Sequence, residues 1–175
     1  RWYITDLEQL IMWDQYHLKI IPNVAKSWKV SEDAKSFTFY LRKGMKWSDG
    51  IPFTADDIMF WYKDVLLNKD LTPVIPWIYQ FGGEVMKAEK LDDYTVKFSF
   101  SQTFGLFINM IAGSGDTLYR CKHYLKKFHT NYVSKEKLEE MAKKEDFETW
   151  FDLFNYKCRY RFGSVDYPTI SAWKI

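Results

Sequence analysis

The sequence has little of what makes a reactive or cross-linked protein. Its two cysteines, Cys121 and Cys158, form no CxxC pair and no dense framework. A disulfide scaffold is excluded, and whether the two sulfurs meet stays open. Histidine is as scarce: His17, His123 and His129 are the full set. Cys121, His123 and His129 do not fall into the two close-spaced pairs of a zinc site, so no metal is expected. No apolar run approaches 18 residues, so none reads as a membrane-spanning helix. Neither positive nor negative residues are in large excess. The 25 Lys and Arg nearly balance 23 Asp and Glu, a net charge of +2, which argues against nucleic acid as a partner.

Catalytic motifs are missing as well. Gly113-Ser114-Gly115 is half of a nucleophile elbow and has neither a P-loop Lys nor a dinucleotide fingerprint. It reads as a loop that stops a helix. The acidic pairs Asp56-Asp57, Asp92-Asp93 and Glu139-Glu140 fit a helix start, a turn and a solvated helix face better than a glycosidase pair. No catalytic residue and no cofactor is expected.

What is abundant is apolar and aromatic: 47% and 19% of 175 residues, with eight tryptophans. A chain of this length buries roughly 70% of its unfolded surface, enough to need no staples. Disorder of the whole chain is excluded. Trp28, Trp47 and Trp61 are expected in the core. Trp13, Trp77 and Trp173 lie near segment ends or prolines, where flat rings reach the surface and stack on ligands.

Periodicity predicts the elements. Residues 6–13 fit a short helix or strand. Phe37, Phe39 and Leu41 alternate with polar residues in a strand over 37–42, preceded by one over 27–30 across the turn 31–35. Thr54 reads as an N-cap with Asp57 as its capping-box partner, opening a helix over 54–67. Strands at 85–88 and 94–100 flank a turn at 91–93, and a helix covers 104–112. The last third reads as helices at 123–128, 134–144 (capped by Ser134) and 147–154, with solvated Lys and Glu faces. The fold class is α+β: an antiparallel sheet with helices packed on one face and a helical appendage.

One stretch resembles a known family. Pro22-Asn23-Val24-Ala25-Lys26-Ser27-Trp28, Val30-Ser31-Glu32-Asp33, Phe37-Thr38-Phe39, Leu41-Arg42-Lys43-Gly44 and Trp47-Ser48-Asp49-Gly50-Ile51-Pro52-Phe53-Thr54-Ala55-Asp56-Asp57 follow in order. They are similar to family 5 of the extracellular solute-binding proteins, the oligopeptide, dipeptide and nickel-binding class of ABC importers. Leu91-Asp92-Asp93-Tyr94-Thr95-Val96 and His123-Tyr124-Leu125 resemble later segments of that family. Residues 128–150 and 166–173 are similar to a longer-chain branch, some members of which take oligosaccharides. One departure is Asp33-Ala34, where the family has Asp-Gly. Alanine disfavours positive φ, so a different turn type is expected there.

The resemblance implies a two-lobed periplasmic-binding-protein-like parent, of which this chain is the inserted subdomain of the first lobe. The chain starts at Arg1, without Met, and stops at Ile175 after an apolar stretch, which reads as an excised piece. It is expected to be a single domain, with a sheet-and-helix core over about 1–129 and an appendage returning to the main lobe over about 130–175. The implied function is an extracytoplasmic receptor, periplasmic or lipid-anchored and monomeric. It captures oligopeptides or oligosaccharides for an ABC permease. Trp77 and Tyr79, in the loop that approaches the cleft in the family, are the expected ligand contacts, followed by Trp13 and Trp173. The alternative is a carbohydrate-active enzyme or its accessory sugar-binding module, which explains the tryptophans but not residues 22–57.

Overall fold

The structure, a computed structural model, describes residues 8–113, 117–158 and 165–170. Strands β1 (Ile11–Trp13) and β2 (Ile20–Pro22) form a short antiparallel hairpin. Residues 6–13 fitted helix or strand, and the part from Ile11 is strand. Asp14 closes the hairpin loop by accepting the Leu18 N–H at 2.8 Å.

The main sheet has four strands, β3 (Ala25–Val30), β4 (Ser36–Leu41), β5 (Lys87–Asp92) and β6 (Thr95–Ser99), in the order β3-β4-β6-β5. Every neighbouring pair is antiparallel. Register makes the sheet one-sided. Phe37 pairs with Phe98 and Phe39 with Val96, all fully buried. Thr38 pairs with Lys97, which pairs with Glu89, on the polar side. Because side chains alternate, the apolar set of β4 and β6 has one face to fill. The first strand of the second hairpin begins at Lys87 rather than residue 85 and runs on through Asp92. Asp92 itself takes the Tyr94 N–H at 2.7 Å, which moves the turn past residue 92.

Helix α1 (Ala55–Phe60) starts as the sequence predicts. Thr54 caps it, and the Asp57 carboxylate returns to the Thr54 N–H at 3.0 Å. The helix then widens into π-type turns over Trp61–Leu66. The wider turn matters for packing. The Asn131 N–H donates to His129 Nδ1 at 3.0 Å, so Nε2 carries the ring hydrogen and donates to the Asp64 carbonyl at 2.7 Å. The Asp64 carboxylate receives Asn131 Nδ2 at 2.6 Å and the Tyr132 hydroxyl at 3.1 Å. Buried His129 also meets the rings of Phe60, Trp150 and Phe154 at 5.6–6.0 Å. It thereby joins the C-terminal helices to α1.

Helix α2 (Phe107–Gly113) sends Phe107 onto the sheet, 4.8 Å from Phe37. It begins later than the expected residue 104, because Phe104 belongs to the preceding turn and accepts the Phe107 N–H at its carbonyl. Then come α3 (Lys122–Leu125), α4 (Lys135–Lys144) and α5 (Trp150–Lys157). Ser134 caps α4 as expected. Helix α5 starts at Trp150 and not at residue 147. Thr149 is its cap, and Asp146 at φ 62° ends the preceding turn. Among the described residues no helix is long and apolar enough to cross a membrane.

The turn at Ala34 departs from expectation. Ala34 adopts φ 49°, the left-handed conformation that alanine disfavours. Tertiary bonding imposes it. The Ala34 N–H donates to the Ser31 carbonyl at 2.9 Å, and its own carbonyl receives the Phe104 N–H at 2.9 Å. Ala34→Gly is expected to stabilise the fold by about 0.5–1 kcal/mol, strain relief outweighing unfolded-chain entropy. His129→Ala is expected to destabilise it by about 3 kcal/mol, through lost ring packing and an orphaned carbonyl. Urea denaturation of each variant measures both.

Candidate ligand-binding surface

Three places on the molecule merit scrutiny for chemistry: a cluster around His123, a groove beside α1, and an aromatic surface around Trp77.

His123 Nε2 lies 2.7 Å from Asp49 Oδ2, and Cys121 Sγ lies 3.5–3.6 Å from both ring nitrogens. A nucleophile relay needs the acid on one ring nitrogen and the sulfur on the other. Here Nε2 serves Asp49 while the sulfur sits about equally far from both nitrogens. Cys121 is fully buried, and burial pushes its thiol pKa up, away from the reactive thiolate. Burial also opposes ionisation of Asp49, but the His123 ring and the Ile51 N–H hold its carboxyl below the usual range. The cluster therefore fastens the loop before α1 to the start of α3. Neither cysteine is in a disulfide. Among the described residues, no three His, Cys, Asp or Glu side chains come together as metal ligands.

The groove, about 490 Å³, runs between α1 with its π-type turns and the edge strand β5. Its walls mix Lys63, Lys90 and Lys122 with Asp56, Asp64 and Glu89. Lys90 is engaged by Asp56 at 3.0 Å and by Asp93 at 2.7 Å. Asp64 is already bonded to Asn131 and Tyr132. Burial, then the Asp64 charge, raises the Tyr132 phenol to about 12, so it stays a donor to Asp64. The walls carry no excess of either charge.

The structure separates the residues expected to touch ligand. Pro76 sets up a single 3₁₀ turn, Trp77–Tyr79. At three residues per turn, residues two apart leave on different sides. Trp77 is 60% exposed, whereas Tyr79 is 2% exposed and stands edge-on to Trp61 at 5.2 Å. Trp13 is half-buried in β1, its indole nitrogen 3.5 Å from where a Gly113 Cβ would stand. Trp77 neighbours Phe104, just before α2, and Trp13 lies at the far end of α2. The helix that separates them is about 10 Å long at 1.5 Å per residue. Trp173 lies outside the described residues.

Sequence reasoning missed the base beneath Trp77. Phe104 lies 6.2 Å from the indole and stacks on Phe81 at 4.0 Å with planes 6° apart. Phe100 meets Phe104 edge-on at 5.2 Å. Leu106 beside it is 65% exposed. Charge was the signal available for these residues. Segments 71–83 and 98–113 contain no Asp, Glu, Lys or Arg, in a chain that is 27% charged.

The comparisons agree on one family. The model for "Bacterial extracellular solute-binding proteins, family 5 Middle" matches residues 19–153. A periplasmic alpha-galactoside-binding protein of Rhizobium meliloti (strain 1021) is 38% identical over 113 residues, which is 65% of this chain and 16% of that protein. The structure of an oligopeptide-binding protein, OppA, superposes with a TM-score of 0.85 at 44% identity, covering 95% of this chain and 25% of that one. The periplasmic binding protein MelB of Agrobacterium fabrum C58, solved with stachyose, gives a TM-score of 0.63 at 31% identity, over 75% of this chain and 21% of that one. The chain thus spans between about a sixth and a quarter of these relatives' lengths. Its α+β fold is that of one portion of a periplasmic binding protein.

Exposure separates the two aromatic candidates in stability as well. Trp77→Ala is expected to destabilise by about 1 kcal/mol, and Tyr79→Ala by about 3–5 kcal/mol. Thermal unfolding of the two variants side by side tests this.

Proposed function

We propose, for a chain that belongs to the bacterial extracellular solute-binding proteins of family 5, that it is the inserted subdomain of the first lobe of an importer's receptor. The full protein captures an oligopeptide or an oligosaccharide outside the cytoplasm. It then hands the solute to the transmembrane subunits of an ABC permease. The carrying observation is the OppA superposition, which takes in 95% of this chain at 44% identity. The alpha-galactoside-binding relative and the stachyose complex support the oligosaccharide half of the reading.

In this reading no bond is made or broken. The receptor works as a monomer, in the periplasm or held to the membrane by lipid, and closure of two lobes about a hinge buries the solute. The described chain supplies a stiff wall to that cleft. Its sheet is filled on one face only, and its helices are fixed to one another by buried polar contacts. Trp77 is the ligand contact we favour and Trp13 the second. Tyr79 acts behind Trp77, packing on Trp61. Trp173, by its place in the sequence, belongs to the return toward the main lobe.

Titration calorimetry of the full-length protein against short peptides and α- and β-linked oligosaccharides tests the reading. One solute class is expected to bind stoichiometrically, with no product formed on long incubation. Turnover of any oligomer, or no binding across the panel, would overturn it.

A further inference from the structure

The surface around Trp77 has features beyond a hydrophobic patch. The indole is 60% exposed, yet its base is rigid: Phe104 is held between Phe81 and Phe100, and its N–H is fixed to the Ala34 carbonyl. Beside this base lies Gln102. Its side chain crosses Gly82, where a Cβ would come within 2.9 Å of Gln102 Cδ. Gly82 stands at φ 77°, so both conformation and space require glycine there. Gln102 is exposed and makes no hydrogen bond to the described residues, leaving a carbonyl acceptor and an amide donor to solvent. The segments that build the surface, 71–83 and 98–113, carry no charged side chain.

We propose that Trp77 and Gln102 form a monosaccharide subsite for one pyranose ring of a neutral oligosaccharide. The inference rests on the receptor reading above and narrows its solute class. The C–H face of a pyranose is apolar and flat enough to lie on an indole. Its hydroxyls alternate donor and acceptor roles, which one primary amide can answer in both senses. A neutral sugar leaves no charge to compensate, and segments 71–83 and 98–113 supply none. A short peptide brings charged termini, and these two segments have no ionised side chain to pair with them. Phe104 backs one side of the indole at 6.2 Å, which limits the side-chain entropy lost on stacking.

The test uses the full-length protein, with stachyose, raffinose and tetra-alanine as probes in titration calorimetry. Wild type is expected to bind one or both sugars. Trp77→Ala is expected to weaken that binding at least tenfold, Trp77→Tyr by less than about threefold, and Gln102→Ala by about threefold to tenfold. The exposure of both residues keeps these variants folded, which their melting curves verify. Trp77→Ala and Gln102→Ala that bind the sugars like wild type would overturn the subsite and leave the receptor reading intact. Wild type binding tetra-alanine alone would overturn the sugar class and again leave the receptor. Wild type binding none of the probes would overturn the subsite, and the wider panel above then decides the receptor reading.

Discussion

Three parts of the chain meet at the carboxylate of Asp57. One oxygen takes the Thr54 N–H at 3.0 Å, which closes the first turn of α1. The other takes the Lys122 N–H at 3.1 Å, which opens α3. The Asp57 carbonyl receives the Arg120 N–H at 3.2 Å as well. The side chain is 4% exposed, and burial raises its pKa against the pull of those N–H groups. A buried carboxylate without such partners is costly, so the loop before α1 and the segment before α3 have to reach it together. Nearby, Tyr167 accepts the Cys121 N–H at 3.1 Å through its hydroxyl oxygen, and Thr169 exchanges bonds with Ser48. The last described segment is therefore laid over the same loop.

From that joint the rest of the packing follows. The Ala55 N–H bonds the Asp93 carbonyl at 2.8 Å, and Lys90 bridges Asp56 to Asp93, so α1 starts above the β5–β6 turn. The helix then runs over the filled face of the sheet and widens where His129 takes the Asp64 carbonyl. The polar contacts of this scaffold gather at Asp57 and Asp64. The aromatic surface lies elsewhere, on segments 71–83 and 98–113, which carry no charged residue. The buried polar joint and the exposed aromatic surface are thus built from different parts of the chain.

Much of this is legible in the residues themselves. Thr54 and Asp57 gave a capping box, because both groups act within one turn. The alternation of Phe37, Phe39 and Leu41, and of Val96, Phe98 and Phe100, gave the paired strands and their buried face. Ser134 gave the start of α4. Element limits were less legible where a side chain that bonds its own backbone moved the boundary, as Asp92 and Thr149 did. Trp77 could be nominated for exposure from Pro76 beside it, but Tyr79 two residues on could not be separated from it.

The family, the α+β class, the one-sided sheet and the cap of α1 are readable from the residues alone, since each depends on residues near in the chain or on strict alternation. Long-range packing sets the left-handed conformation of Ala34, the widening of α1 at Asp64, the burial of Tyr79 beside an exposed Trp77, and the place of Gln102 over Gly82. Each of these depends on a partner far along the chain: Phe104 for Ala34, His129 for Asp64, Trp61 for Tyr79. Proline aside, local helix propensity is worth at most about 1 kcal/mol per residue, and one buried hydrogen bond or ring contact made across the fold matches or exceeds it.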